Sequence, residues 1–433
     1  MKKIKFISIL LVAALLCSSL ASAIDPIDVN AGAAILVDAS DGHEIYGKNA
    51  DAKKYPASIT KLMTALVVIE NVTDLSEVVT ANESAFKGLS SAGSTVGIKA
   101  GEKMSVDNLL ICMLVASANE AANILAEHVA GSVPVFVDMM NDKADELGLE
   151  GTNFVNTSGL HDENHYTTAR DISKIAIEVR KHARLREICA MKDATIPATN
   201  LEEERYFFTT NSLISRYKEI GYVYSRANGM KTGSTTPAGL CLAASAEYNG
   251  VELISVVLGA SVDDATGKKG SFVESKNLFV WGFENFKRAT LLPSSQPVCE
   301  VRVESAKDRD YVVAHTPETY SVLMPKDYDE AKVELVPTAV SETLEAPITK
   351  GSEVGSVLVR YEGKDYATLP LVAADDVERS ILAYIFNHTK KFIRSPLGIG
   401  IMIAIAAAII AYIIYAIGYN KRRRNRRRRR RYY

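Results

Sequence analysis

The pattern of apolar and polar positions changes character several times along the chain. "GAAILVDASDGHEIYG" contains two short strand-like runs around Asp41-Gly42 and predicts a hairpin. From Ser58 onward, Ile59, Leu62, Met63, Leu66, Val67 and Ile69 recur at helical spacing. A second helical region follows Ser105, is interrupted around "SANE" (Ser117 to Glu120) and stops at Gly131. A third, with Ser132 as cap and Pro134 in its first turn, ends at Gly148. "NGMKTGSTTPAGLCLAASAEYNGVELISVVLGA" reads as three adjacent strands, with Asn249-Gly250 as the turn of the last hairpin. Helices flanked by strands on both sides predict an α/β fold (an α+β sandwich), a sheet covered by helices.

Past Phe286 long helical patterns cease. "CEVRVESAKDRDYVVAH", "AKVELVP" and "EVGSVLVRYEGKDYATLPLVA" alternate, predicting a small all-β domain from about Leu292 to Ala374. Ser380 to Arg394 has the pattern of a short amphipathic helix. Leu397 to Tyr419 follows without a charge, and at about 1.5 Å per residue it reaches roughly 34 Å, enough to span a bilayer.

Charge sharpens this picture at both ends. The opening "MKKIKFISILLVAALLCSSLASA" carries Lys2, Lys3 and Lys5, an apolar run and Ala21-Ser22-Ala23, the pattern of a signal peptide cut after Ala23. Leu16 before Cys17 argues against a lipid-transfer site, which needs a small residue there. The other end holds ten basic residues, Lys421, Arg422 to Arg424 and Arg426 to Arg431. By the positive-inside rule this tail stays in the cytoplasm and the chain from Ile24 to about Pro396 faces outward. Without the tail and the three signal lysines, the net charge of −2 becomes −15, which excludes nucleic acid as a natural partner of the exported part. The arginine run is a topology anchor in contact with anionic lipid. Cys112, Cys189, Cys241 and Cys299 remain after cleavage; scattered and without a Cys-x-x-Cys, they read as buried free thiols rather than a disulfide framework or metal site.

The candidate chemistry begins with Ser58 and Lys61 in "YPASITKLMTALVVIE", one helical turn apart at the start of the first helix. A serine hydroxyl needs a base within hydrogen-bond reach, and a lysine serves if burial and neighbouring positive charge keep it neutral. The same spacing recurs at Ser84/Lys87 and Ser215/Lys218, both read as surface accidents. Ser117-Ala118-Asn119 and Lys231-Thr232-Gly233 follow Ser58 and Lys61 in the order Ser-x-x-Lys, Ser-x-Asn, Lys-Thr-Gly, a signature of penicillin-binding proteins and related β-lactamases.

On these motifs and on the blocks "GSTVGIKAGEKMSVDNLL", "ASANEAANILAEHVAG" and "FVNTSGLHDENHYTTARDISKIA", the chain resembles the low-molecular-mass penicillin-binding proteins, serine-type D-alanyl-D-alanine carboxypeptidases. The resemblance covers about Gly32 to Phe286 closely and the β-rich region more loosely. It departs at Ala118, where relatives more often have Gly or Asp, and in a full membrane span where many have an amphipathic helix. It implies a penicillin-binding-protein/β-lactamase-like domain with an antiparallel sheet, then a small β domain and a C-terminal transmembrane helix. The implied organisation is a signal peptide at 1–23, a catalytic domain at 24–290, a β-rich domain at 292–376, an amphipathic linker at 377–396, the span at 397–419 and a basic tail at 420–433.

The resemblance also implies roles. Ser58 would attack the carbonyl between two terminal D-alanines of a peptidoglycan stem peptide, with Lys61 as base. The N–H groups of Ser58 and Ser234 would form the oxyanion hole. Lys231, with Thr232, Gly233 and Ser234, would hold the substrate carboxylate; Ser117 would relay a proton to the leaving D-alanine and Asn119 would bind the peptide amide. β-Lactam antibiotics would acylate Ser58, and neither cofactor nor metal is implied. "HDENH", His161 to His165, mimics zinc-protease spacing, but Glu163 is misplaced for it, so the segment reads as a loop beside the site. Arg170 and Asp171 read as a structural ion pair and helix start. The alternatives are a β-lactamase using Asp162 or Glu163 to activate water, a D,D-endopeptidase, and a catalytically silent cell-wall binding protein.

Overall fold

The computed structural model describes residues 27–89 and 93–429; the signal-peptide reading of residues 1–23 lies outside them, as do the last four residues. Two compact units divide the chain. The first runs through Ala289 and takes in Leu323–Tyr328, and the second comprises Thr290–Val322 and Asp329–Tyr433.

The first unit is built on a five-stranded sheet. Strand β1 (Ala33–Asp38) and β2 (Glu44–Lys48) form the predicted hairpin. Helices α1 (Lys61–Asn71), α2 (Val106–Val115), α3 (Asn119–Ala130), α4 (Val133–Glu146) and α5 (Ala169–Lys181) come next. The three predicted strands then follow as β3 (Ala227–Thr235), β4 (Gly239–Tyr248) and β5 (Val251–Ala260), and α6 (Gly270–Asn285) closes the unit. The order across the sheet is β2-β1-β5-β4-β3, antiparallel throughout, so β3 is an edge strand.

Every residue of β1 is buried, because helices cover both faces of the sheet. The period-two alternation sorts its side chains. Ile35 and Val37 join a core that includes Leu62, Leu66, Leu110 and Ile175, while Ala34 and Leu36 join another with Phe272, Leu278 and Phe279 of α6. Ser132 caps α4 as predicted, with Pro134 in its first turn, and Ser105 caps α2. The first core wraps α1 on nearly every side; Leu62, Met63, Ala65, Leu66 and Val68 are all fully buried. That burial makes the N-terminal end of α1 a rigid platform for the residues just before it.

The second unit holds a six-stranded sheet whose spatial order is Val333–Ala339, Glu353–Tyr361, Lys364–Ala373, Tyr311–His315, Cys299–Glu304 and Leu344–Glu345. Helix α7 (Ile381–Arg394) is capped by Ser380 and leaves Ile381, Leu382 and Phe386 exposed, with Lys391 and Arg394 in its last turn. Helix α8 (Pro396–Arg429) is the one helix among the described residues long and apolar enough to cross a membrane.

Candidate active site

The chain enters α1 through a 3₁₀ turn, Ala57–Thr60, so the α-helix begins at Lys61 rather than at Ser58. This tightens the expected geometry. Residues three apart eclipse one another in a 3₁₀ turn, and Lys61 Nζ lies 2.9 Å from Ser58 Oγ. Ala57, with φ of +47°, reverses the chain just before the serine, a left-handed conformation that costs a residue other than glycine roughly 1 kcal/mol or more.

Lys61 is completely buried. Its Nζ donates to Asn119 Oδ1 at 2.7 Å and to the Ser158 carbonyl at 2.8 Å, and Ser58 Oγ is its third partner. Burial, reinforced by the nearby Lys231 charge and opposed by Glu120, holds its pKa well below that of an ordinary lysine. Asn119 opens α3 and Ser117 stands just before it with φ of +67°. Lys231 on the edge strand β3 is also fully buried and donates to Ser117 Oγ at 3.0 Å and to the Thr232 carbonyl at 2.9 Å. Its pKa is lowered to about 7, chiefly by burial, with Cys189 opposing and Lys218 adding to the shift. Thr232 donates to Thr210 at 2.6 Å. Ser58, Ser117, Thr232, Gly233 and Ser234 line one cavity of about 240 Å³. All eight residues singled out by the motifs thus meet around one small space.

Two glycines let this happen. A Cβ on Gly233 would come within 2.8 Å of the Pro56 carbonyl and 3.0 Å of the Ser58 nitrogen. A Cβ on Gly159 would come within 1.8 Å of the Ala57 carbonyl oxygen. The segment before Gly159 is held by Asn156, whose Oδ1 accepts from the Ser158 and Gly159 nitrogens and whose Nδ2 donates to the Leu160 carbonyl. Thr64, one turn past Lys61, donates to the Thr157 carbonyl at 2.6 Å. This Asn-Thr-Ser-Gly turn is a working part of the site that motif reasoning missed; its turn-forming composition was the available signal.

The "HDENH" segment lies beside the site, as expected, and its imidazoles are engaged elsewhere. His161 stacks edge-on against Tyr55. His165 accepts from the Val155 nitrogen through Nδ1, so its Nε2–H donates to Thr60 Oγ1, which in turn donates to the Ala57 carbonyl. His165 therefore braces the turn that carries Ser58. Asp162 caps the Asn164 nitrogen, and Glu163 lines a different cavity from the one that holds Ser58, which removes support for a water-activating carboxylate there.

Three expectations need correction. Ser84 and Lys87 are both exposed, as expected, and Lys218 is exposed too, but it lines the cavity with Ser58 and Ser215 is buried rather than on the surface. Ser215 Oγ is occupied as a turn acceptor for the Tyr217 nitrogen, leaving Lys218 without it. Arg170 pairs with Asp51 and Glu44, not with Asp171, which instead accepts from the Gly151 nitrogen and Thr152. Cys112, Cys189 and Cys241 are buried free thiols with raised pKa values, but Cys299 is only partly buried.

The chain is similar to known proteins over most of its length. The family model described as D-alanyl-D-alanine carboxypeptidase matches residues 20–262, and that of the penicillin-binding protein 5 C-terminal domain matches residues 286–379. The D-alanyl-D-alanine carboxypeptidase DacF of Bacillus subtilis is 32% identical over 356 residues, 81% of this chain and 86% of the relative. DacA of Haemophilus influenzae is 32% identical over 82% of this chain and 87% of its own. The crystal structure of penicillin binding protein 5 from Haemophilus influenzae superposes with a TM-score of 0.69 at 32% identity, covering 82% of this chain and all of that one. With a family model spanning more than half its length and two long relatives above 30% identity, the chain belongs to the D-alanyl-D-alanine carboxypeptidase family.

Proposed function

We propose that the protein is a membrane-anchored serine D,D-carboxypeptidase that removes the terminal D-alanine from peptidoglycan stem peptides through an ester on Ser58. One observation carries the assignment of roles: the three partners of Lys61 Nζ. Asn119 Oδ1 and the Ser158 carbonyl can only accept. A neutral Lys61 spends its two N–H groups on them, and its lone pair is left facing Ser58 Oγ, 2.9 Å away. The serine proton then has one place to go.

In this reading Ser58 Oγ attacks the carbonyl carbon between the two D-alanines and Lys61 takes its proton. The N–H groups of Ser58 and Ser234 stabilise the oxyanion. Collapse breaks the C–N bond, Ser117 passes a proton to the departing nitrogen, and water later cleaves the ester. Lys231, Thr232, Gly233 and Ser234 hold the terminal carboxylate, and Asn119 the peptide amide. A penicillin acylates the same serine, and its adduct persists because the ring system stays tethered where the leaving group would depart. The basic tail keeps the C-terminus cytoplasmic and the peptidase outside.

The test is release of free D-alanine from a diacyl tripeptide ending in D-alanyl-D-alanine. The native chain releases it and Ser58→Ala does not. Labelled penicillin mapped to a residue other than Ser58 would overturn the assignment.

A further inference from the structure

A cavity of about 590 Å³, larger than the one holding Ser58 and with its own lining, is not used by the mechanism above. Lys53, Lys54 and Tyr55, Glu163 and Tyr166, and the Thr236–Gly239 turn line it. Lys53 Nζ sits 4.0 Å above the Tyr166 ring, and the Lys54 ammonium packs against Gly32, where a Cβ would come within 3.3 Å of Nζ. Neither ammonium has a carboxylate within ion-pair distance among the described residues, although lysines 48, 99, 143 and 181 of the same unit do. Two unpaired cations and two tyrosines therefore share one cavity with a single carboxylate, Glu163, which is exposed.

The two chain segments that carry Ser58 and Ser234 also contribute to the lining of this cavity. Tyr55 lies three residues before Ser58, and Thr236 two residues after Ser234. Two residues of extended chain cover about 7 Å. Because β3 is an edge strand, an extended peptide can pair along it beside Ser58. With its terminal carboxylate at Lys231, such a peptide must leave Ser58 on the other side, toward Thr236. We infer that the cavity lined by Lys53, Lys54, Tyr55 and Tyr166 is a subsite for a carboxylate carried on the acyl part of the substrate, about two residues upstream of the acylated D-alanine. This rests on the peptidase reading of Ser58 for the direction of the substrate. It makes the protein selective for stem peptides with a free carboxylate at that position over those with an amide.

Binding tests it without turnover. In the full chain carrying Ser58→Ala, calorimetry compares two acylated peptides that end in D-alanyl-D-alanine and differ only in a carboxylate or its amide two residues upstream of the acylated D-alanine. The carboxylate peptide is expected to bind about tenfold tighter, with Lys53→Ala/Lys54→Ala bringing the ratio near one and Glu163→Gln raising it. Equal binding of the two peptides, or a ratio that survives the double lysine variant, overturns the subsite. A carboxylate preference in binding, combined with no D-alanine release by the native chain, supports the subsite and sinks the peptidase reading alone.

Discussion

Gly159 lies so close to Ala57 that a methyl group in place of its hydrogen would sit 1.8 Å from the Ala57 carbonyl oxygen and 2.9 Å from the Ser58 nitrogen. The contact is backbone to backbone, so no side chain can swing away to relieve it. Gly159 also has φ of +82°, where alanine costs about 1–2 kcal/mol before any clash. Gly159→Ala is expected to push the turn that carries Ser58 out of place and, on the proposed role of Ser58, to slow penicillin acylation by about a hundredfold, the usual cost of a misplacement near 1 Å. The measurement is the second-order acylation rate, with far-ultraviolet circular dichroism to show that the fold persists. A rate within threefold of native would mean that the turn does not set the position of Ser58.

Lys61→Arg is expected to lower the acylation rate by three orders of magnitude or more. Arginine keeps the charge but does not deprotonate near neutral pH, so it cannot accept the serine proton. Penicillin labelling at native speed in that variant would remove Lys61 from the role of base.

How much of this site was legible in the sequence depends on the range of each contact. Ser58 and Lys61 are three residues apart, and their meeting follows from local helical geometry. The hairpin at Asp41-Gly42, the three strands between Ala227 and Ala260 and the cap Ser132 are legible for the same reason. The partnership of Lys61 with the Ser158 carbonyl spans 97 residues and uses a backbone oxygen, which every residue type has, so no residue identity announces it. Gly159 acts by lacking an atom, and a glycine in a turn-like stretch reads first as punctuation. Lys218 reads as an ordinary surface lysine because nothing local marks it as lining the cavity with Ser58. Adjacency in sequence suggests Asp171 as the partner of Arg170, while the helix start sends the two side chains to different neighbours, Arg170 to Glu44 and Asp51 and Asp171 to Gly151 and Thr152.

His165 predicts a pH-dependent stability. Burial lowers its pKa from 6.5 to about 4, with Asp162 opposing and His161 adding to the shift. The folded value lies below the unfolded one, so between pH 6.5 and about 4 the unfolded chain binds more protons and stability falls with pH. The full loss approaches about 3 kcal/mol. Trp281, the single tryptophan, lies in the first unit, and its fluorescence in urea titrations reports the unfolding of that unit. Between pH 7 and 4.5 the native chain is expected to lose stability relative to His165→Gln. Parallel curves for the two proteins would show that His165 does not carry the dependence.

Lys231 predicts the alkaline limb of the pH–rate profile. In the free protein its pKa is lowered to about 7, mainly by burial, so the cation proposed to receive the substrate carboxylate is lost as the pH rises through that value. The rate constant kcat/KM reports the free protein and is expected to fall on the alkaline side from near pH 7. Once a carboxylate lies against Lys231, the opposite charge favours the protonated amine and raises its pKa. The alkaline limb of kcat is therefore expected at least one pH unit above that of kcat/KM. Lys218, whose charge adds to the lowering and which lines the same cavity, gives an internal control: Lys218→Met is expected to move the kcat/KM limb upward, toward the position of the kcat limb. Coincident alkaline limbs for kcat and kcat/KM in the native protein would mean that the carboxylate does not bind at Lys231.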